Sequence, residues 1–193
     1  MPGTRTESNT SSSHRTASRA DTAALDEIID QLKEDHRRVK KAFREFEKMD
    51  QQDESACEAL VQRTISELEI HAELEEDLFY PAIRSALSDE GLIDEAEVEH
   101  MTFHVLIDQL KKMEPSDDRY SATFTVLGEY IKHHVKEEEG EIFTGIGRAR
   151  MNWRSLRDDM QQLRQQRMSE HGLAPADAAE GEGQNPSSSD APH

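Results

Sequence analysis

His71-Ala72-Glu73-Leu74-Glu75-Glu76-Asp77-Leu78-Phe79-Tyr80-Pro81 is the stretch whose reading decides the fold. His71 and Glu75 are four residues apart, which on an α-helix puts an imidazole and a carboxylate one turn apart on one face. That is a spacing for holding a metal. The same phrase recurs at His134-Val135-Lys136-Glu137-Glu138-Glu139-Gly140-Glu141-Ile142-Phe143, with a histidine, glutamates four and five residues on, and an apolar pair ending nine residues on. A repeated histidine-to-glutamate step on two distant segments is much harder to reach by accident than a single one.

Working outward, the apolar positions around both phrases follow a helical period and never the alternation of a strand. Leu25, Ile28, Ile29, Leu32, Val39, Phe43 and Phe46 make a first stripe, with His36 inside it. After Gln51-Gln52-Asp53, Ser55 with Glu58 reads as a capping box opening a second helix. Its stripe is Val61, Ile65, Leu68, Ala72, Leu78, Phe79 and Ala82, with His71 and Glu75 inside it, and Pro81 is expected to kink it because its ring removes a backbone donor. Ser88-Asp89-Glu90-Gly91 marks a turn before a third stripe, Ile93, Ala96, Phe103, Ile107 and Leu110, which carries His100 and His104. Glu114 to Asp118 separate it from a fourth, Leu127, Ile131, Val135 and Ile142, on whose line His134 and Glu138 fall. His133 and Glu137 have the same spacing but lie about a hundred degrees round, on the wetter side.

A fifth helix is expected over roughly 149–170, where Ala149, Trp153, Leu156, Met160 and Leu163 repeat as a narrow seam. It carries Arg148, Arg150, Arg154, Arg157, Arg164 and Arg167. Such a helix either docks its seam on the bundle and its arginines near carboxylates, or joins two copies as a homodimer. Residues 1–22 and 171–193 are too polar to bury surface and read as disordered tails, the second acidic. The expected class is all-α: a bundle over 23–148, the additional C-terminal helix, and two tails.

The 193 residues carry 41 Asp plus Glu against 23 Lys plus Arg, a net charge of -18, which argues against a nucleic-acid or anionic-membrane partner. No apolar run reaches the roughly 18–20 residues of a membrane span, so a cytoplasmic location is the default expectation. Cys57 is alone, so a thiolate metal site cannot be assembled within one chain. Any metal must be held by nitrogen and oxygen.

The polar residues that interrupt the apolar stripes are His36, His71, Glu75, His100, His104, His134 and Glu138, at least one from each of four helices. Taken singly, a histidine on an apolar face is more often a satisfied core residue than a ligand. Taken together, these imidazoles and carboxylates would leave costly unpaired polar groups in one core unless a cation joins them. They overfill one first-row ion and suit two if the carboxylates bridge. Iron, zinc and manganese all accept imidazole with carboxylate, and iron is the first expectation.

The order His36, His71 with Glu75, His100 with His104, and His134 with Glu138 resembles the hemerythrin-like family, the HHE cation-binding domain. Asp35-His36, the two quoted phrases and Glu99-His100 carry the likeness, over about residues 24–148. The resemblance implies an up-and-down four-helix bundle around two non-haem iron ions, oxo- or hydroxo-bridged. By position, His100, His104 and His134 would hold one iron, His36 and His71 the other, and Glu75 and Glu138 would bridge. The oxygen carriers of that family have an aspartate five residues after the last histidine, where this chain has Glu139. His104, which many HHE domains lack, brings it nearer to the carriers.

The function so implied is binding or sensing of dioxygen, nitric oxide, peroxide or iron itself. The alternative is a di-iron peroxidase or catalase-like enzyme acting on hydrogen peroxide. Tyr80, Tyr130, Glu76 and Glu139 are candidates for groups that tune the centre from behind the ligands.

Overall fold

A computed structural model describes residues 19–147, 149 and 151–173. It is an all-α bundle. Helix α1 spans Arg19–Phe46 and α2 Glu54–Leu74. A π-helical turn, Glu75–Phe79, and a short α-turn, Tyr80–Ile83, prolong α2. Helix α3 is Gly91–Leu110 and α4 Tyr120–Glu137, the latter prolonged by a second π-helical turn, Glu138–Ile142, and by Phe143–Gly145. Helix α5 is Trp153–Glu170. No helix among the described residues is long and apolar enough to cross a membrane.

Local chemistry sets most boundaries. Asp53, rather than Ser55, caps α2: its carboxylate accepts the Ala56 N–H at 3.1 Å, which leaves Ser55 inside the first turn. Helix α1 starts at Arg19, so four residues assigned to the N-terminal tail are helical, and Asp21 in its first turn pairs with Arg154 of α5 at 3.3 Å. The remainder of that tail, 1–18, lies outside the described residues, as does 174–193 of the C-terminal one. Helix α5 starts at Trp153 rather than 149, capped by the Asn152 side chain; Arg148 and Arg150 fall outside the described residues. It ends where Gly172 takes φ +66°, a conformation that favours glycine, and the Leu173 N–H returns to the Met168 carbonyl at 2.9 Å.

Two apolar layers fill the bundle. One gathers Leu25, Ile28, Leu32, Leu74, Phe79, Ile83, Ile93 and Phe143. The other gathers Val39, Val61, Ile65, Phe103, Ile107, Phe124, Leu127 and Val135. His36 lies between Leu32 and Val39 along α1, so the polar cluster separates the layers. On the second layer, Gly128 lets α1 and α4 close up, since a Cβ there would meet Phe43 at 2.8 Å. Helix α5 buries Trp153, Leu156 and Met160 in the first layer. The seam that could have joined a second copy is thus used within the chain. Its arginines pair with acids of α1 and α2: Arg157 with Glu27, Arg164 with Asp35, and Arg167 with Glu73.

Candidate metal centre

Six of the expected residues meet at the middle of the bundle. His36, His71, Glu75, His100, His134 and Glu138 are all nearly or fully buried. Their ligand atoms form two sets, His36, His71, Glu75 and Glu138, and Glu75, His100 and His134. Within the first, His36 Nε2 and His71 Nε2 are 3.1 Å apart, with Glu138 Oε2 3.2 Å from His36 and Glu75 Oε1 3.2 Å from His71. Within the second, His100 Nε2 and His134 Nε2 are 3.2 Å apart, and Glu75 Oε2 is 3.5 Å from His100. Glu75 belongs to both sets, so a carboxylate already spans them.

The outer ring nitrogens fix the tautomers. His36 Nδ1 faces Glu139 at 2.9 Å, His71 Nδ1 faces Asp35 at 3.3 Å, His100 Nδ1 faces Glu76 at 2.7 Å and His134 Nδ1 faces Glu99 at 2.8 Å. A carboxylate accepts only, so each Nδ1 carries the hydrogen and each Nε2 keeps its lone pair. Two pairs of Nε2 lone pairs then point at each other at little more than 3 Å, an arrangement that repels unless a cation lies between them. Glu75 Oε1 and Glu138 Oε2 are also buried without a hydrogen-bond partner, their nearby imidazoles lying off line. The donor set therefore fits metal ions, and imidazole with carboxylate is borderline chemistry suited to iron, zinc or manganese.

Electrostatics tell the same story. Burial and the charge of Glu138 push the Glu75 carboxyl well up, whereas Glu138, close to the imidazoles of His36 and His134, is held down against its burial. Without a cation the buried pair cannot hold two full charges, so one proton stays with it. Burial pushes His100 down to about 4, which keeps it a neutral donor. Burial, then the two carboxylates, push the Tyr80 phenol well up. Its hydroxyl donates to Glu138 Oε1 at 3.1 Å and stands 3.4 Å from Glu75 Oε2 and 3.3 Å from His100 Nε2.

The π-helical turns explain how Tyr80 gets there. In each, one residue is added to the turn: the Tyr80 N–H reaches the Glu75 carbonyl and the Phe143 N–H that of Glu138, five residues back. Side chains five apart then share a face, so Tyr80 stands over Glu75 and Phe143 over Glu138. Phe143 lies parallel to His36 with ring centroids 6.0 Å apart.

His104 is not brought into this cluster. Its side chain is 38% exposed, and Nε2 is 2.8 Å from Glu76 Oε1, the atom that also holds His100. His133 is 59% exposed, whereas His134 is buried. Asp35 and Glu99, which hold His71 and His134, were not singled out for that role by spacing; the signal is the acid directly preceding His36 and His100. Arg164 of α5 and Arg38 both reach Asp35.

Residues 27–146 match the hemerythrin HHE cation-binding domain. A curated relative, a DNA nickase of Nostoc sp. (strain PCC 7120 / SAG 25.82 / UTEX 2576), is 29% identical over 119 residues, 62% of this chain. The match spans only 33% of that protein's length. A solved hemerythrin HHE cation-binding-domain protein of Mycobacterium kansasii superposes with a TM-score of 0.57 at 23% identity, over 70% of this chain and 85% of the other.

Proposed function

The chain belongs to the hemerythrin HHE cation-binding domain family, and we propose that its buried cage holds two non-haem iron ions and binds or senses dioxygen, nitric oxide or peroxide. His36 and His71 would hold one ion and His100 and His134 the other, with Glu75 and Glu138 bridging. Bound iron would supply one-electron redox chemistry from each ion. In this reading His104 does not touch a metal; it steadies Glu76 and so the ring of His100.

The observation that carries the small-ligand reading is a small void of about 10 Å³ against Asp35, His36, His71 and His134. Val39, Leu68, Phe103, Ile131 and Val135 wall it with apolar surface. Its volume is close to that of a single water-sized probe, so it favours a molecule of one or two heavy atoms and excludes a bulky second substrate. Tyr80 keeps its proton and directs it at Glu138, which orients that carboxylate. The same O–H favours the second reading, peroxidase or catalase-like turnover, because cleaving peroxide needs a proton donor inside the cage. The nicking activity named for the cyanobacterial relative is not carried over: contact with a phosphate backbone needs positive fields, and this chain carries -18.

Mixing the reduced, iron-loaded protein with air-saturated buffer tests the proposal. Expected is a spectrum distinct from both the reduced and the oxidised forms, decaying slowly, with weak peroxide consumption. Immediate oxidation with many cycles of peroxide consumed per chain would favour the enzyme instead.

A further inference from the structure

The two sides of the cage are closed unequally. On the α1/α2 side, α5 lies across the bundle and Arg164 covers Asp35, which is 3% exposed. On the α3/α4 side the corresponding carboxylate, Glu99, borders a cleft of about 50 Å³, room for one or two water molecules. Glu95, Glu137 and Glu141 stand with Glu99 along this cleft, which runs to the buried His134 and Glu138. Glu138, 1% exposed, has its Oε2 buried without a hydrogen-bond partner.

At the outer end, His133 Nε2 is 3.4 Å from Glu99 Oε1 and 3.2 Å from Glu137 Oε1. These three ligand atoms lie close enough together to share one ion. The other oxygen of Glu99 accepts from His134 Nδ1 at 2.8 Å. One carboxylate therefore touches both an outer imidazole and an inner one.

Resting on the two-ion reading above, we propose that Glu99, His133 and Glu137 form a transient outer site for a divalent first-row cation, through which the cage is loaded between α3 and α4. One imidazole and two carboxylates with water completing the shell suit ferrous ion, and the exposed imidazole of His133 lets it go again. The glutamates concentrate cations at the mouth, and a charged cleft of this kind raises association rates by a factor on the order of 10 to 10³. From the mouth an ion would shed water and pass along the cleft to His134 and Glu138 at its inner end.

Stopped-flow mixing of chelator-stripped protein with cobalt(II) alone, followed by its visible absorption, tests this. The double variant His133→Asn with Glu137→Gln should take up the metal about tenfold more slowly or worse, yet finish with two ions per chain. Equilibrium dialysis should show a weak third cobalt ion in the unmodified protein and none in the variant. Glu137→Lys, which places a cation at the mouth, should slow uptake at least as much; circular dichroism checks that both variants keep their helices. Unchanged uptake rates in the variants, or no third ion in the unmodified protein, overturn the outer site. An unmodified protein that never takes up two ions would instead overturn the cage reading, so the two failures are distinguishable.

Discussion

The hairpin α1/α2 and the hairpin α3/α4 build their halves of the cage by the same plan. Each supplies an acid-histidine pair, Asp35-His36 or Glu99-His100, and then a histidine and glutamate one turn apart at the mouth of a π-helical turn. Each also lends the glutamate after its buried one to the opposite half: Glu76 holds His100 and Glu139 holds His36. The halves part at three places. Phe143 stands where the other half has Tyr80, Asp35 is sealed by arginines where Glu99 borders a cleft, and Lys40 attends Glu139 where His104 attends Glu76. The teaching is that symmetric ligands can be made unequal by what lies behind them, which sets ligand basicity and access without altering the donor set.

The largest expected effect ignores the difference. His71→Ala and His134→Ala should both lower metal content and thermal stability, because metal binding is coupled to folding, while His133→Ala should keep both buried ions. Metal analysis alongside a melting curve checks this, and loss of the buried ions in His133→Ala alone would show that α4 is out of phase. Next come the supporting acids. Arg164→Met should destabilise the metal-free protein by about 3 kcal/mol, the low end for a broken buried pair because Arg38 still reaches Asp35. Glu99→Gln should cost about 1 kcal/mol, since water in the cleft replaces part of what is lost. Urea unfolding of the metal-free proteins measures both, and equal costs would erase the distinction between a sealed and an open side.

Tyr80→Phe makes the halves alike at that point. It should cost about 1 kcal/mol of stability in the metal-free protein and leave two ions bound, while altering the rate of small-ligand binding. His104→Ala should be smallest, a few tenths of a kcal/mol for a half-exposed pair, with metal content intact. Its signature lies in acid. Against burial, hydrogen bonds from His100 and His104 hold Glu76 down at about 2, so this carboxylate adds stability above its unfolded value of 4.5 that is lost as pH falls toward about 2. Removing His104 raises the folded value, so the variant should differ from the parent near neutral pH and converge with it in strong acid. A constant difference across that window would show that Glu76 draws nothing from His104.

Much of this was legible because apolar residues at a helical period betray any polar residue among them. The stripe through Leu127, Ile131 and Val135 places His134 inside and His133 outside, as the burial of both bears out. What spacing could not give was the added residue in each π-helical turn. Pro81 hints at one irregularity, but the stretch Glu138–Ile142 carries little signal beyond Gly140, and without the turn the facing of Tyr80 and the division of work between Glu138 and Glu139 stay hidden. Spacing also could not show that His104, one turn from His100, is 38% exposed and faces Glu76. The seam and arginines of α5 announced a docked helix, yet the partner of Arg164 depends on how helices far apart in sequence cross.

Two pairs of facing imidazoles and two shared carboxylates would hold two ions. Anaerobic titration of the chelator-stripped protein with ferrous ion, with bound iron counted per chain after removal of weakly held metal, tests it most directly. A plateau at two is expected; a plateau at one in a fully folded protein would rule out the two-ion centre.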